Sequence, residues 1–217
     1  MGKARDHKIR ILAEKEASDP QATDDSGNQA ALMSAQLRAH KVELKKVKSI
    51  QMKIAKKRTF IGDYWPYVDG VLAAENGKQD DILMTVFSWA LDVGAFERAI
   101  DIATYALAYD LQMPSHFKRN VQEILVEQTA DYILSNLKDL TGQKQILSHM
   151  EDIIDLTAEL DMVDEVKAKG FKAIGSLLEE TDPKRTIEYF DAALSFDEKC
   201  GVKTALNKLR KKVEDQT

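Results

Sequence analysis

One cysteine, four prolines and ten glycines in 217 residues leave little to build a disulfide scaffold or a loop-rich fold. The lone Cys200 excludes an internal disulfide, fits a reducing cytoplasm, and reads as a small core residue beside a turn. No apolar run approaches the roughly 18 residues of a membrane span. The opening M-G-K-A-R-D-H-K lacks the apolar core of a secretory signal, and Asp6 stands where a myristoylation motif has Ser or Thr. No G-x-x-x-x-G-K-[ST] occurs, so no ATP-hydrolysing P-loop is expected. His7, His40, His116 and His149 never fall at i, i+4 or beside a cysteine, so neither a zinc site nor any other cofactor is expected. Sustained alternation of apolar and polar residues is missing too, which leaves nothing for a sheet and points to an all-α chain.

What the chain does have is an uneven distribution of charge. Residues 1–58 carry fourteen basic and seven acidic residues, a net of +7, whereas the whole chain nets -5. A basic module joined to an acidic body suggests contact with a polyanion at one end and with protein at the other. Three segments are expected: a flexible N-terminal stretch over 1–29, a basic amphipathic helix over 30–58, and an acidic helical-hairpin body over 59–217. Within the first, Lys3 to Ala17 reads as a short helix and Ser18 to Asn28 as a linker, on the strength of Pro20, Gly27 and the polar residues around them.

The periodicity predicts one long helix from about Ala30 to Lys57. Met33, Leu37, Leu44, Val47 and Ile54 recur three or four apart over most of it, with His40 and Gln51 interrupting the stripe. Lys46, Lys53, Lys56 and Lys57 lie roughly opposite. That stripe is the expected oligomerisation seam, either against the chain's own body or, as we read it, between subunits. Lys41, Lys45, Lys46, Lys48, Lys53, Lys56, Lys57 and Arg58 form the candidate phosphate-binding surface. Phe60, Tyr64, Trp65 and Tyr67 follow at once; they are more often loop anchors against a core than bases for nucleotide stacking.

Helical hairpins are expected from Gly70 onward. Asp80 and Asp81 sit at a helix start, I-L-M-T-V-F-S-W-A-L is apolar enough to be buried, and Gly94 is the turn before a helix from Phe96 to about Leu111. Glu97 to Asp110 aligns without gaps on Lys184 to Asp197: Arg98 with Arg185, Ile100 with Ile187, Ala106-Leu107 with Ala193-Leu194. The pattern is that of the second helix of a tetratricopeptide-type hairpin. The offset of 87 is no multiple of a 34-residue repeat, so the expected body is an irregular array of tetratricopeptide-like hairpins. Further helices are expected near Ser115 to Leu137, Gln143 to Leu160 and Asp164 to Glu179.

The runs Q-D-D-I-L-M-T-V-F-S-W-A-L-D-V-G, A-I-D-I-A-T-Y-A-L and L-Q-M-P, with W-P-Y-V-D-G-V-L before them and A-A-L-S-F-D-E-K-C-G-V-K near the end, resemble the terminase small-subunit family of peduovirus-type tailed phages. That resemblance covers about Arg38 to Arg210. It implies a viral DNA-packaging role in the cytoplasm of the infected host. The subunit would bind double-stranded concatemeric DNA, assemble as a homo-oligomer, with a ring as one form, and present the DNA to a large subunit that carries the ATPase. The family is customarily described as the endonuclease subunit of its terminase. A metal-dependent nuclease needs several carboxylates converging on an ion. The densest acidic group, Glu75, Asp80, Asp81 and Asp92, reads instead as helix-start and turn residues, and no catalytic residue can be named. A protein-binding scaffold and an intrinsic endonuclease are the competing readings.

Overall fold

A computed structural model describes the backbone of residues 25–215 and the side chains of residues 30–215. The expected helix over Lys3 to Ala17 and most of the expected linker lie outside these residues. Every regular element among the described residues is a helix, with no strand among them. In chain order the α-helices are α1 (Asp25–Lys46), α2 (Ile50–Phe60), α3 (Trp65–Ala74), α4 (Asp81–Val93), α5 (Phe96–Ala108), α6 (Val121–Ser135), α7 (Leu137–Leu140), α8 (Lys144–Thr157), α9 (Asp164–Leu178), α10 (Pro183–Phe196) and α11 (Lys203–Glu214), with a 3-10 turn at Ile61–Tyr64. The chain divides into two compact units at Val121/Gln122. The basic segment lies within the first unit, which also holds α3 to α5.

Two expectations at the N-terminal side change. Helix α1 begins at Asp25, inside the stretch that the polar composition marks as linker. The single helix expected from Ala30 to Lys57 is two helices broken at Val47-Lys48-Ser49. Ser49 is the cause at the level of local chemistry. Its backbone is extended (φ -69°, ψ 130°) and its hydroxyl accepts from the Met52 amide, so it is the N-cap of a new helix. Helix α2 then runs back along α1: Lys56 pairs with Glu43 at 2.9 Å, and the Phe60 ring stacks on His40 at 3.9 Å between centroids.

The core of the first unit is α4, from Ile82 to Leu91 buried on every side. Asp80 caps it, accepting from the Ile82 and Leu83 amides at 2.8 and 2.9 Å. Gly94 closes it in the left-handed region (φ 80°), which a residue with a Cβ adopts only at a cost. Helix α5 packs back against α4, and α2 and α1 cover another side of it. The expected helix near Ser115 starts only at Val121.

In the second unit α9 and α10 form the closest pair, with α8 on one side of α9 and α11 on α10. Gly175 is what lets α9 and α10 approach. A Cβ there would lie 2.6 Å from the Phe190 ring, so any side chain would push the helices apart. Gly170, one turn and a half earlier, does the same for Ile154 and Val126. The two segments that echo each other in sequence, Glu97 to Asp110 and Lys184 to Asp197, fall on α5 and α10, each the second helix of a packed pair.

Candidate nucleic-acid interface

Between Glu43 and Asp63 the chain has seven cations and no acid. The fold-back of α2 on α1 sorts the eight candidate cations into two groups. Four are tied to other parts of the fold. Lys41 donates to Thr85 Oγ1 on α4 at 3.2 Å, and burial pulls its pKa below the usual lysine value, with Asp81 opposing. Lys56 donates to Glu43, whose carboxyl this hydrogen bond holds below its ordinary pKa. Lys57 pairs with Asp92 and lies 6.0 Å over the Trp89 ring. Arg58 reaches the Val93 carbonyl at 3.4 Å.

The other four are Lys45, Lys46, Lys48 and Lys53. Each lies on the bend between α1 and α2 or within about one helical turn of it. The first three are exposed and Lys53 is half-buried, and none makes an ion pair with a described residue. The bend therefore presents a compact positive tip whose one neighbouring acid, Glu43, is paired with Lys56. Ile50 and Met52 stand on the same tip, 72% and 57% exposed. Periodicity does not single them out, because it treats every apolar residue of a helix as a candidate for burial.

The seam expected from the spacing is turned toward the chain's own body. Leu37 and Leu44 are buried, while Met33, Val47 and Ile54 are half-buried. Burying Leu37 and Leu44 is worth on the order of 1.5 to 3 kcal/mol each. Helices α1 and α2 both pack on α4.

The aromatics after the lysines anchor the fold. Tyr64 is fully buried, edge-on to Trp89 at 5.8 Å, and its hydroxyl lies 2.8 Å from His40 Nδ1. Burial, with Asp63 nearby, pushes that hydroxyl's pKa up to about 12. Arg98 sits 4.8 Å over Trp65 and bonds Asp69 at 2.5 Å. Tyr67 donates to Asp80 at 2.6 Å.

That bond and the two helix amides occupy the Asp80 carboxylate. Asp92 is paired with Lys57, and Glu75 ends α3 in the left-handed region (φ 45°). An open groove of about 550 Å³ runs past Ala30, Ser34, Tyr67, Gly70, Asp80 and Asp81. Among the described residues no three His, Cys, Asp or Glu side chains are grouped to hold a metal ion. No described helix is long and apolar enough to cross a membrane.

The family model of the phage small terminase subunit matches residues 34–165, a span that includes α2 to α8 and the bend. The chain belongs to that family. Its role is therefore in phage DNA packaging. It is similar to the "Terminase, endonuclease subunit" of Escherichia phage P2, at 32% identity over 212 residues, covering 97% of this chain and 85% of that protein. No solved structure matches the chain.

Proposed function

We propose that the chain binds double-stranded viral DNA through the tip formed by Lys45, Lys46, Lys48 and Lys53, assembles with copies of itself, and presents the DNA to the ATPase large subunit for cutting and packaging. The observation that carries this reading is the sorting of the lysines. A solubilising basic face would scatter its cations, whereas here four are anchored and four are gathered about one bend whose nearest acid, Glu43, is paired with Lys56. Cations in such a place meet phosphates at little cost, because they have no ion-pair partner among the described residues to abandon. Discrimination of the packaging site then rests on base edges or DNA shape next to those phosphates. The acidic body, with the α4/α5 and α9/α10 pairs as units of a tetratricopeptide-type array, supplies protein-facing surface.

Fluorescence anisotropy with packaging-region DNA and a shuffled duplex, titrated across salt, tests it. The wild-type chain should bind the packaging region more tightly and with a steep salt slope. Changing Lys45, Lys46, Lys48 and Lys53 together to Ala should lower the slope by roughly 0.9 for each phosphate left without its lysine, up to about 3 to 4. Binding unchanged in that variant removes the tip from the interface, and no binding by the wild type leaves a protein scaffold.

The name of the phage P2 relative also favours an endonuclease. Magnesium-dependent cleavage by this chain alone, without the large subunit, would be its sign.

A further inference from the structure

Helix α1 has two apolar stripes, and only one of them faces the body. The inward stripe contains Leu37 and Leu44. On the opposite side Leu32, Ala35, Ala39 and Val42 follow one another at intervals of three, four and three residues, the spacing of a heptad seam. At 100° per residue these four fall within about 80° of arc, centred roughly opposite Leu37 and Leu44. All four are exposed, Leu32 at 63% and Val42 at 53%. A seam on which two alanines sit between a leucine and a valine lets a second helix come close.

We propose that this outward stripe pairs with the same stripe of a second copy, in parallel and in register. The proposal rests on the self-assembly in the function proposed above and assigns it a surface. Charge selects the occupant and its direction. With Leu32 and Ala39 at heptad position a and Ala35 and Val42 at d, the flanking g positions are Arg38 and Lys45, and the e positions are Gln36 and Glu43. In a parallel pair the residue at g faces e of the following heptad on the partner, five residues on, so Arg38 of each copy meets Glu43 of the other, twice by symmetry. In an antiparallel pair g faces g, which sets Arg38 and Lys45 against like charges.

Both groups are available. Arg38 is exposed and its hydrogen bond is local, to Ser34 at 2.8 Å. Glu43 is exposed and shares one oxygen with Lys56. Helix α4 packs on the far side of α1, and α2 flanks the stripe on its Glu43 side, where Lys56 and Phe60 meet Glu43 and His40. Ten steps from Leu32 to Val42 at a rise of about 1.5 Å give a seam of about 15 Å, too short to hold alone, so the association is concentration-dependent.

Light scattering across concentration and cysteine cross-linking on full-length protein test this, with Cys200→Ser as background. Leu32→Asp with Val42→Asp should lower the mass while circular dichroism stays helical. Arg38→Glu and Glu43→Arg should each lower the mass, and the two together should restore it. Leu32→Cys and Val42→Cys should each form a disulfide with its own kind. A parallel, in-register pair predicts that result; an antiparallel one joins Leu32→Cys to Val42→Cys only in a mixture. A wild type that stays monomeric, a mass unchanged by the aspartates, or no rescue by the charge exchange overturns the proposal. A stripe variant that keeps its mass but loses the large subunit assigns the stripe to that partner instead. DNA anisotropy on the same variants separates the two failures, since the lysine tip is intact in all of them.

Discussion

Helices α1 and α2 and helices α9 and α10 are both antiparallel pairs, yet they are held together in different ways. In the α9/α10 pair Gly175 admits the Phe190 ring, and Ala173, Ile174, Leu177, Thr186 and Ala193 on the two helices are buried. The α1/α2 pair touches through one ion pair and one stacked ring, and α2 has no buried residue of its own. Leu32, Val42, Ile50 and Met52, each more than half exposed, all belong to α1 or α2; the other large exposed hydrophobics, Val163 and Phe196, are less so. A pair whose packing is complete serves the fold. A pair that leaves apolar and cationic groups outside is arranged for partners.

The contrast breaks most visibly at Gly175. Gly175→Leu should cost about 3 kcal/mol or more in urea unfolding, because the new side chain must displace a ring that has nowhere to go. Substituting the exposed Met52 by Gln should leave the unfolding midpoint where it is. A Gly175→Leu protein as stable as the wild type would mean that α9 and α10 do not approach this closely.

The next effect in size is at Asp80. Asp80→Ala removes a carboxylate that caps two amides of α4 and accepts from Tyr67, and it should cost about 1 to 2 kcal/mol. Asp80→Asn keeps an acceptor and should recover most of that. Any cleavage of DNA measured alongside is informative in its own right: activity lost in Asp80→Asn, with stability kept, would give that residue a chemical role beyond its cap.

Much of this was legible in the sequence, and for physical reasons. Asp80 and Gly94 bound α4 because a carboxylate before an apolar run and a glycine after it answer the unpaired groups at helix ends. The echo between Glu97 to Asp110 and Lys184 to Asp197 found the second helix of two pairs because small and large residues must alternate where helices meet. The bend at Val47 to Ser49 was hidden. Lys45, Lys46 and Lys48 are good helix formers, and only one serine marks the new start. The facing of α1 was hidden for a different reason. Periodicity shows that a helix has an apolar stripe and cannot say which of two opposed stripes meets the body, since Leu37 and Leu44 on one side and Leu32 and Val42 on the other satisfy the same rule. The sorting of the lysines depended on where α2 folds back, so no sequence distance reveals that Lys57 meets Asp92 while Lys53, four residues away, does not.

The finest form of the comparison lies within the lysines themselves. Lys57→Ala removes a partly buried ion pair with Asp92 and a contact with Trp89, so it should weaken the fold by about 1 kcal/mol. It should leave the salt dependence of DNA binding as it was, because that ammonium is held against the body. Lys53→Ala should do the reverse, with stability unchanged and the salt slope lower by roughly 0.9. Unfolding in urea and anisotropy across salt, run on the same two proteins, check both halves. If Lys57→Ala lowers the slope as much as Lys53→Ala, DNA draws the anchored lysines off their acids, and the interface extends along α2 beyond the bend.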